Sequence, residues 1–580
     1  MNNYFSRMTS AFQPQEYEGP SKLTTLREAV SKHVKPHDHI FLSQRGSAGL
    51  YEILRQFMNT KPNFTMSSIM VSDLQFLLAI TGLATKVITS LLPFGRNPRL
   101  QAFMRENPLE IERWTIHTII LRYMAAGTGV PFLPTRSIIG SSIGQELEPG
   151  VYQEMTSPFG NGSRVGMVSA LKPDVAIIHG VAADPAGNTI LTPDWTVDSW
   201  GARASRRNTI VTVEKVISTE AIRKYAPLVT IPAFMVDAVC ETPLGAHPRE
   251  IYNGWVNEIQ SYVGDSQFSR TFQEALQGGD QSLKKWLKEW IIDITTHEEF
   301  LEKLGDARAE KIRATARQQI TEQELDIHPT QSAEYTDVEM MAVAAARKIQ
   351  EVVQRGNYRF IQAGPGIALP ATFQAYSSLR AQDYDVEVMV GFGNYGFRPH
   401  NAALAGLPHL STPKMYGSMF DMYGAFLRGP GSPSLGILGI AEIDKYANIN
   451  ITRMADGTYL AGSGGHNDCA MGAGEVLVTG RMSPQRFRDE ISFITTPGDR
   501  VLTVVTDLGI LEKYQGSKEL ILTSYYAAKE TSDKEVISTI KKQCGWKLKI
   551  APNVFRQAPP TVEELAIIRQ FTVRRGDPEE

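Results

Sequence analysis

The residues of this chain whose types and spacing could do chemistry gather around glycine. Gly364 and Gly366 flank Pro365, Gly391 and Gly393 flank Phe392, and Gly464-Gly465 run into His466-Asn467-Asp468. Glycine lets a backbone approach a ligand closely. Two such turns ending adjacent strands would form a cradle of N–H groups able to stabilise an oxyanion, although each pair serves equally well as a plain turn. His466 sets a group that titrates near neutral pH beside one of these loops, where it either does acid–base work or points to solvent. Asn394 is a hydrogen-bond donor to a ligand oxygen or a routine turn residue, and Tyr395 reads as packing. Arg136 follows the run Pro131-Phe132-Leu133-Pro134-Thr135 and offers its guanidinium to a carboxylate, to a phosphate or to a surface ion pair. The Gly-x-Gly pattern is not a dinucleotide fingerprint, because no complete Gly-x-Gly-x-x-Gly follows a strand with an acidic residue downstream. Cys240, Cys469 and Cys544 are odd in number and widely spaced, which argues against a disulfide framework and a zinc site. They read as buried thiols in a reducing cytoplasm, with Cys469 near enough to His466 for a nucleophile's role to stay open.

The elements that must position these groups need more than one core. A chain of 580 residues exceeds the usual domain of about 100–200 residues several-fold. With 42% hydrophobic and 21% charged residues it is a soluble globular protein, not a disordered one. Lys and Arg (59) nearly balance Asp and Glu (62) and no long basic run occurs, so nothing here would track a nucleic-acid backbone. Met1 to Pro20 lacks the apolar run of a signal peptide. The most apolar stretch, Leu74 to Phe94, holds Gln75, Gly82 and Lys86, and reads as buried strand and helix instead of a membrane span.

Thr336 and Glu339 form a capping box before the apolar-periodic run Met340–Val353, with Gly356 as the expected stop. A strand over Tyr358–Gln362, the Gly364-Pro365-Gly366 turn and a helix over Ala368–Leu379 follow. The polar stretch 267–331 reads as the end of one domain and a connector. An internal echo points to duplication: Val175–Val181 leads into Asp184-Pro185-Ala186-Gly187-Asn188, and Leu435–Ile440 into Asp444-Lys445-Tyr446-Ala447-Asn448. Asp and Asn favour turns anywhere, so one such match alone decides nothing. The alternation of β-branched runs with helical patterns predicts α/β layers in both halves.

The ordered set of motifs is more specific than any one of them. Pro131–Arg136 through Gly140-Ser141-Ser142, Pro173-Asp174 through Asp184 and Asn188, and Val236-Asp237 through Gly245-Ala246-His247 resemble the α subunits of family I CoA-transferases. Gly364-Pro365-Gly366, Asp444 to Asn450, Gly462 to Asp468 and Thr506-Asp507-Leu508-Gly509 resemble the β subunits. The likeness is in particular to glutaconate CoA-transferase and to a related hydrolase that opens a steroid-derived ring on an acyl-CoA. It implies two tandem α/β domains with the site at their interface, over residues 1–310 and 335–580 with a connector over 311–334. It also implies an acyl-CoA substrate, no metal, no bound cofactor, no membrane, a cytoplasmic setting and a homodimer of the fused chain. Transfer in such enzymes would run through a glutamate at the end of a strand of the β half, which attacks the thioester and carries the acyl group and then CoA.

That glutamate is missing. The strand Val386–Val390 leads into Gly391-Phe392-Gly393-Asn394, and Gly391 stands where the resemblance places the nucleophile. Glu387 lies four residues too early. In the ring-opening hydrolase the resemblance places a glutamate in the α half instead, at or beside Ile116 here, where no carboxylate occurs; Glu112 and His117 are the neighbouring candidates. His117 is a general base or a histidine satisfied by a backbone carbonyl. The expected function is therefore hydrolysis of a thioester or of a β-keto C–C bond of an acyl-CoA. Catalysis would involve His117, His466, Glu112 or Asn394, and the substrate would be bound by Gly364, Gly366, Gly391, Gly393, Gly464, Gly465, Asn467 and Arg136. A true CoA-transferase and a non-catalytic acyl-CoA-binding protein are the competing readings.

Overall fold

Two parallel sheets with the same strand order organise the chain. In the first, the strands run 64–67, 39–42, 175–183, 208–216 and 238–241 side by side, all parallel. In the second, 387–390, 360–363, 434–439, 475–479 and 501–505 repeat that arrangement. The first sheet is extended beyond 64–67 by the parallel strands 84–89 and 110–113, and the second at both edges, by 509–512, 521–525 and 549–556 on one side and by the short strands 394–395 and 415–416 on the other. All nine residues of Val175–Ala183 are buried, as expected for a parallel strand covered by helices on both faces. The computed structural model describes residues 2–10, 13, 15–92, 97–107, 109–160, 162–321, 332–390, 393–400, 407–527 and 531–571.

The duplication seen in sequence is a duplication of geometry. The Asp184 carboxylate accepts from the backbone N–H groups of Gly187 and Asn188 and from the Asn188 amide. Asp444 accepts from the N–H groups of Tyr446 and Asn448 and from the Asn448 amide. Each turn follows the equivalent strand of its sheet and needs a positive φ at its fourth residue, 106° at Gly187 and 67° at Ala447.

Local signals hold with small corrections. The Thr336–Glu339 capping box opens the helix Asp337–Gly356, but Asn357, not Gly356, takes the left-handed cap position. The following strand is Phe360–Ala363 and the next helix Ala368–Ala381. The polar stretch after residue 266 is not merely a connector: its helices Ser266–Gln277, Asp280–Leu287 and His297–Leu304 bury Phe268, Phe272, Trp286 and Phe300 in the first half's core. The helix Asp306–Thr321 runs across residue 310. Leu77–Ile80 is helix and Ala84–Thr89 strand, and among the described residues no helix is long and apolar enough to cross a membrane.

Candidate functional site at the seam of the two halves

The two halves interlock through backbone. The helix Ile116–Gly127 starts from a Thr115–Thr118 capping box, and its first N–H, of Ile116, donates to the Gly464 carbonyl. Gly464 donates in turn to Ser90, and Leu92 to Ala461. The glycines here are required by closeness: a Cβ on Gly462 would sit 2.7 Å from the Ser90 carbonyl oxygen, and one on Gly465 would sit 1.8 Å from the Tyr423 hydroxyl. Asn467 accepts from the Ile138 N–H at 2.8 Å and donates to the Thr495 carbonyl at 2.9 Å. Asp468 accepts the His117 N–H at 2.9 Å. Burial raises the Asp468 carboxyl to about 6, against the pull of the His117 N–H, the Thr115 and Ser137 hydroxyls and Arg136.

Of the residues singled out from sequence, His117, Arg136, Gly464 and Asn467 make hydrogen bonds across this seam, whereas the side-chain partners of His466 lie in the second half and those of Glu112 in the first. His117 is buried, its ring lies beside Phe420 with centroids 5.9 Å apart, and neither ring nitrogen has a hydrogen-bond partner among the described residues. Burial, with the Arg136 charge adding to it, pushes its pKa down to about 3, so the imidazole is neutral. His466 does not point to solvent. Its Nε2 donates to the Gly439 carbonyl and its Nδ1 pairs with the Thr496 hydroxyl, and burial brings it down to about 4. Both nitrogens are committed to fixing the loop, which corrects its reading as an acid–base group. Glu112 is likewise committed, to Arg122, Lys86 and the Trp114 indole. Burial works to raise its pKa, but these partners outweigh it and hold the carboxyl low, so as a base it would be weak. Arg136 donates through Nη2 to the carbonyls of Tyr423, Gly424 and Leu427 across the seam and clamps that segment.

The glycine turns of the second half divide similarly. The Gly364 N–H is spent on the Ile437 carbonyl, while Gly366, at φ 80°, faces open space. Gly393, at φ 77°, packs so tightly on Ser418 that a Cβ would lie 2.5 Å from the Ser418 carbonyl oxygen. Asn394 is buried in a short strand opposite Val390 and Tyr416. Gly391 lies outside the described residues. Glu387 opens its strand, three residues before the strand's last residue, and is ion-paired with Lys414.

Sequence reasoning missed the carboxylates that the fold brings to this seam. At the C-terminal ends of strands 39–42 and 64–67, a small cavity is lined by Gln44, Arg45, Ser68, Asp194, Asp198 and, from the second half, Met419. This is where an open α/β sheet binds ligands, beside the point at which the strand order reverses. Its volume of about 20 Å³ has room for one water molecule. Asp194 spends one oxygen on the Thr196 N–H and the other on the Met419 N–H, both at 2.9 Å, so it tethers the second half to the cavity. Asp198, in the first turn of the helix Thr196–Ala204, accepts the Ser43 hydroxyl at 2.8 Å through one oxygen. Burial lifts its pKa to about 6, against that hydrogen bond and the Arg45 charge. The available signals were the Ser43-Gln44-Arg45-Gly46 turn between strand and helix, and two aspartates four apart at a helix start.

A family model described as Coenzyme A transferase matches residues 23–242. The chain is 30% identical over 261 residues to one of the two 3-oxoadipate CoA-transferase polypeptides of Pseudomonas knackmussii, a match that covers 41% of this chain and 94% of that one. The chain belongs to the CoA-transferase family. It is also 33% identical over 158 residues to the cholesterol ring-cleaving hydrolase IpdA subunit of Mycobacterium tuberculosis, which covers 26% of this chain and 51% of that protein. An acyl-CoA transferase of Escherichia coli O157:H7 shares the fold along both halves, with a TM-score of 0.63 over 94% of this chain and 97% of that one at 15% identity. This CoA-transferase-family chain thus carries, in one polypeptide, a fold found in known acyl-CoA enzymes.

Proposed function

We propose that this enzyme hydrolyses an acyl-CoA, at its thioester or at a β-keto C–C bond, within the seam cavity. One observation carries the reading: the carboxylates at that cavity come from the first half, Asp194 and Asp198, while Glu387 of the second half is tied to Lys414 at the wrong end of its strand. Asp198 is the general base. One of its oxygens accepts from Ser43, and the cavity it lines has room for one water molecule. A base near pKa 6 is largely ionised at pH 7 yet still takes a proton from water attacking a carbonyl carbon. His117 is the second candidate for a proton relay, neutral and unpartnered beside Phe420. His466, Glu112 and Arg136 position the seam, and the glycine turns at Gly366 and Gly393 border the substrate. The likeness to a ring-cleaving hydrolase supports this direction.

The functional unit is a first half that extends past residue 310 through the helix Asp306–Thr321, joined to a second half over 335–580, and two fused chains pair as a homodimer in the cytoplasm. No metal and no bound cofactor enter the reaction; hydrolysis of the thioester releases free coenzyme A, and cleavage of the C–C bond leaves it in an acyl-CoA product. The same Asp198 favours one competing reading, because a carboxylate can also carry an acyl group as an anhydride, which would make the enzyme a transferase. The deciding experiment incubates the protein with a panel of acyl-CoAs in ¹⁸O-water, with and without acceptor acids. Labelled acid or a cleaved carbon chain without an acceptor supports hydrolysis. Acceptor-dependent exchange overturns it in favour of transfer, and binding without turnover overturns it in favour of an acyl-CoA-binding protein.

A further inference from the structure

A small antiparallel sheet lies at the surface of the first half, with the strands Phe132–Thr135, Arg164–Ser169 and Tyr152–Thr156 side by side in that order. Side chains alternate across a strand, so the pairing register sorts them onto two faces. Leu133, Thr135, Tyr152, Gly166 and Val168 share the inner face, where Tyr152 and Val168 enter the core and Leu133 packs against it. The outer face carries Phe132, Pro134, Met155, Val165 and Met167, and its two polar members, Gln153 and Ser169, are uncharged. An antiparallel sheet that meets water carries polar side chains on that side. Here Phe132 is 49% exposed and Met155 40%. Val130 continues the apolar stripe past one end, and Phe159, 92% exposed, stands on the hairpin at the other. A continuous stripe of this kind marks an interaction surface.

Charge at the rim says what covers it. Arg164 pairs with Glu154 at the hairpin end, and Glu148 and Lys172 are both exposed just beyond the other end of the strands. Each end therefore carries one acid and one base. A lipid surface is met by apolar groups ringed with an excess of Lys and Arg, which this face lacks. A second copy turned about a two-fold axis lays the face on itself, apolar on apolar, and brings the acid and base of one end beside the base and acid of the other. We propose that this face is the interface between two copies of the chain, with their outer sheets packed together about a two-fold axis near Met167. The inference rests on the homodimer reading above and gives that dimer its surface. Met167 is central because it sits in the middle strand, opposite Pro134 on one side and Gln153 on the other. The strand Phe132–Thr135 runs directly into Arg136, which holds the carbonyls of Gly424 and Leu427 in the second half, so pairing braces the seam from outside.

Sedimentation and light scattering of the full chain read the oligomeric state directly. The wild type should be a dimer, and Phe132→Glu combined with Met155→Glu should raise its dissociation constant at least about 100-fold, since each anchor of an interface core accounts for about tenfold or more. Both side chains are exposed in the single chain, so its circular dichroism should not change. A second variant needs no loss of packing: Cys240, Cys469 and Cys544 are buried, so Met167→Cys should give a covalent dimer on oxidation. Phe555→Cys, on an exposed site of the second half, should not. A wild-type dimer that survives the double substitution, or that Met167→Cys leaves uncrosslinked, overturns this face and keeps the homodimer. A monomeric wild type overturns both, and its flotation with phosphatidylcholine–phosphatidylglycerol vesicles would assign the face to lipid instead.

Discussion

The backbone N–H of His117 donates to the Asp468 carboxylate at 2.9 Å, so one hydrogen bond spans 351 residues of chain and the join between the halves. Both groups are buried, and Asp468 keeps one oxygen without a partner among the described residues. Asp468→Ala leaves that N–H unpaired in the interior and should cost about 1–3 kcal/mol, the penalty for a buried orphan donor. Asp468→Asn keeps an acceptor and should cost less. Chemical-denaturation midpoints of the two variants check the ordering, and equal losses would mean that the N–H finds another partner.

Asp198→Asn retains the acceptor for the Ser43 hydroxyl but removes the base. Hydrolysis should fall by about 10²–10⁴, the usual contribution of general-base catalysis, while the melting temperature is held or raised because a buried charge is removed. In the wild type the rate should decline as pH drops through about 6, where Asp198 takes up its proton. A pH–rate profile that is flat from 7 to 5 would exclude Asp198 as the base.

His117 gives acid sensitivity with a definite sign. Its pKa is pushed down to about 3 in the folded chain from an ordinary value of 6.5, so between those limits the unfolded chain binds the proton first. The stability associated with a neutral His117 is fully present above pH 6.5 and is lost as pH falls toward 3. Between pH 7 and pH 5 that loss amounts to about 2 kcal/mol. Asp198 and Asp468, both raised to about 6, act oppositely and favour the fold as pH falls from 6 toward 4. Replacing His117 with Met should therefore flatten the loss of stability on acidification, measured as the urea midpoint at pH 7 and at pH 5.

The paired aspartate turns should matter to folding before chemistry. Asp184→Ala strands the N–H groups of Gly187 and Asn188, and Asp444→Ala strands those of Tyr446 and Asn448. Asp184→Ala should cost about 1–3 kcal/mol, because the Gly187 N–H is buried, and Asp444→Ala less, because the N–H groups it strands are only partly buried and can turn to water. Turnover per folded molecule should remain near the wild-type value. A variant that folds normally and loses turnover would instead place its turn at the reacting groups.

What the sequence determined by itself is local or periodic. The Thr336–Glu339 cap, the two aspartate turns and the buried β-branched runs are settled by residues within a few positions of one another, and a chain segment carries that information wherever it goes. The resemblance carried by Gly462 to Asp468 also pointed to the seam, where Gly462 and Gly465 prove to be needed because a Cβ on either would clash.

The chemistry of the site was decided by tertiary structure alone. Whether His466, Glu112 or Arg136 was free could not be read from their neighbours in sequence, because their partners, Thr496 and Gly439, Lys86 and Arg122, and the 423–427 carbonyls, arrive from elsewhere in the chain. Asp198 looks like an ordinary acidic residue in a first helical turn until the ends of strands 39–42 and 64–67 close around it and Met419 caps the space. Its raised pKa is a property of desolvation, which depends on every group packed nearby and therefore exists only once the chain has folded.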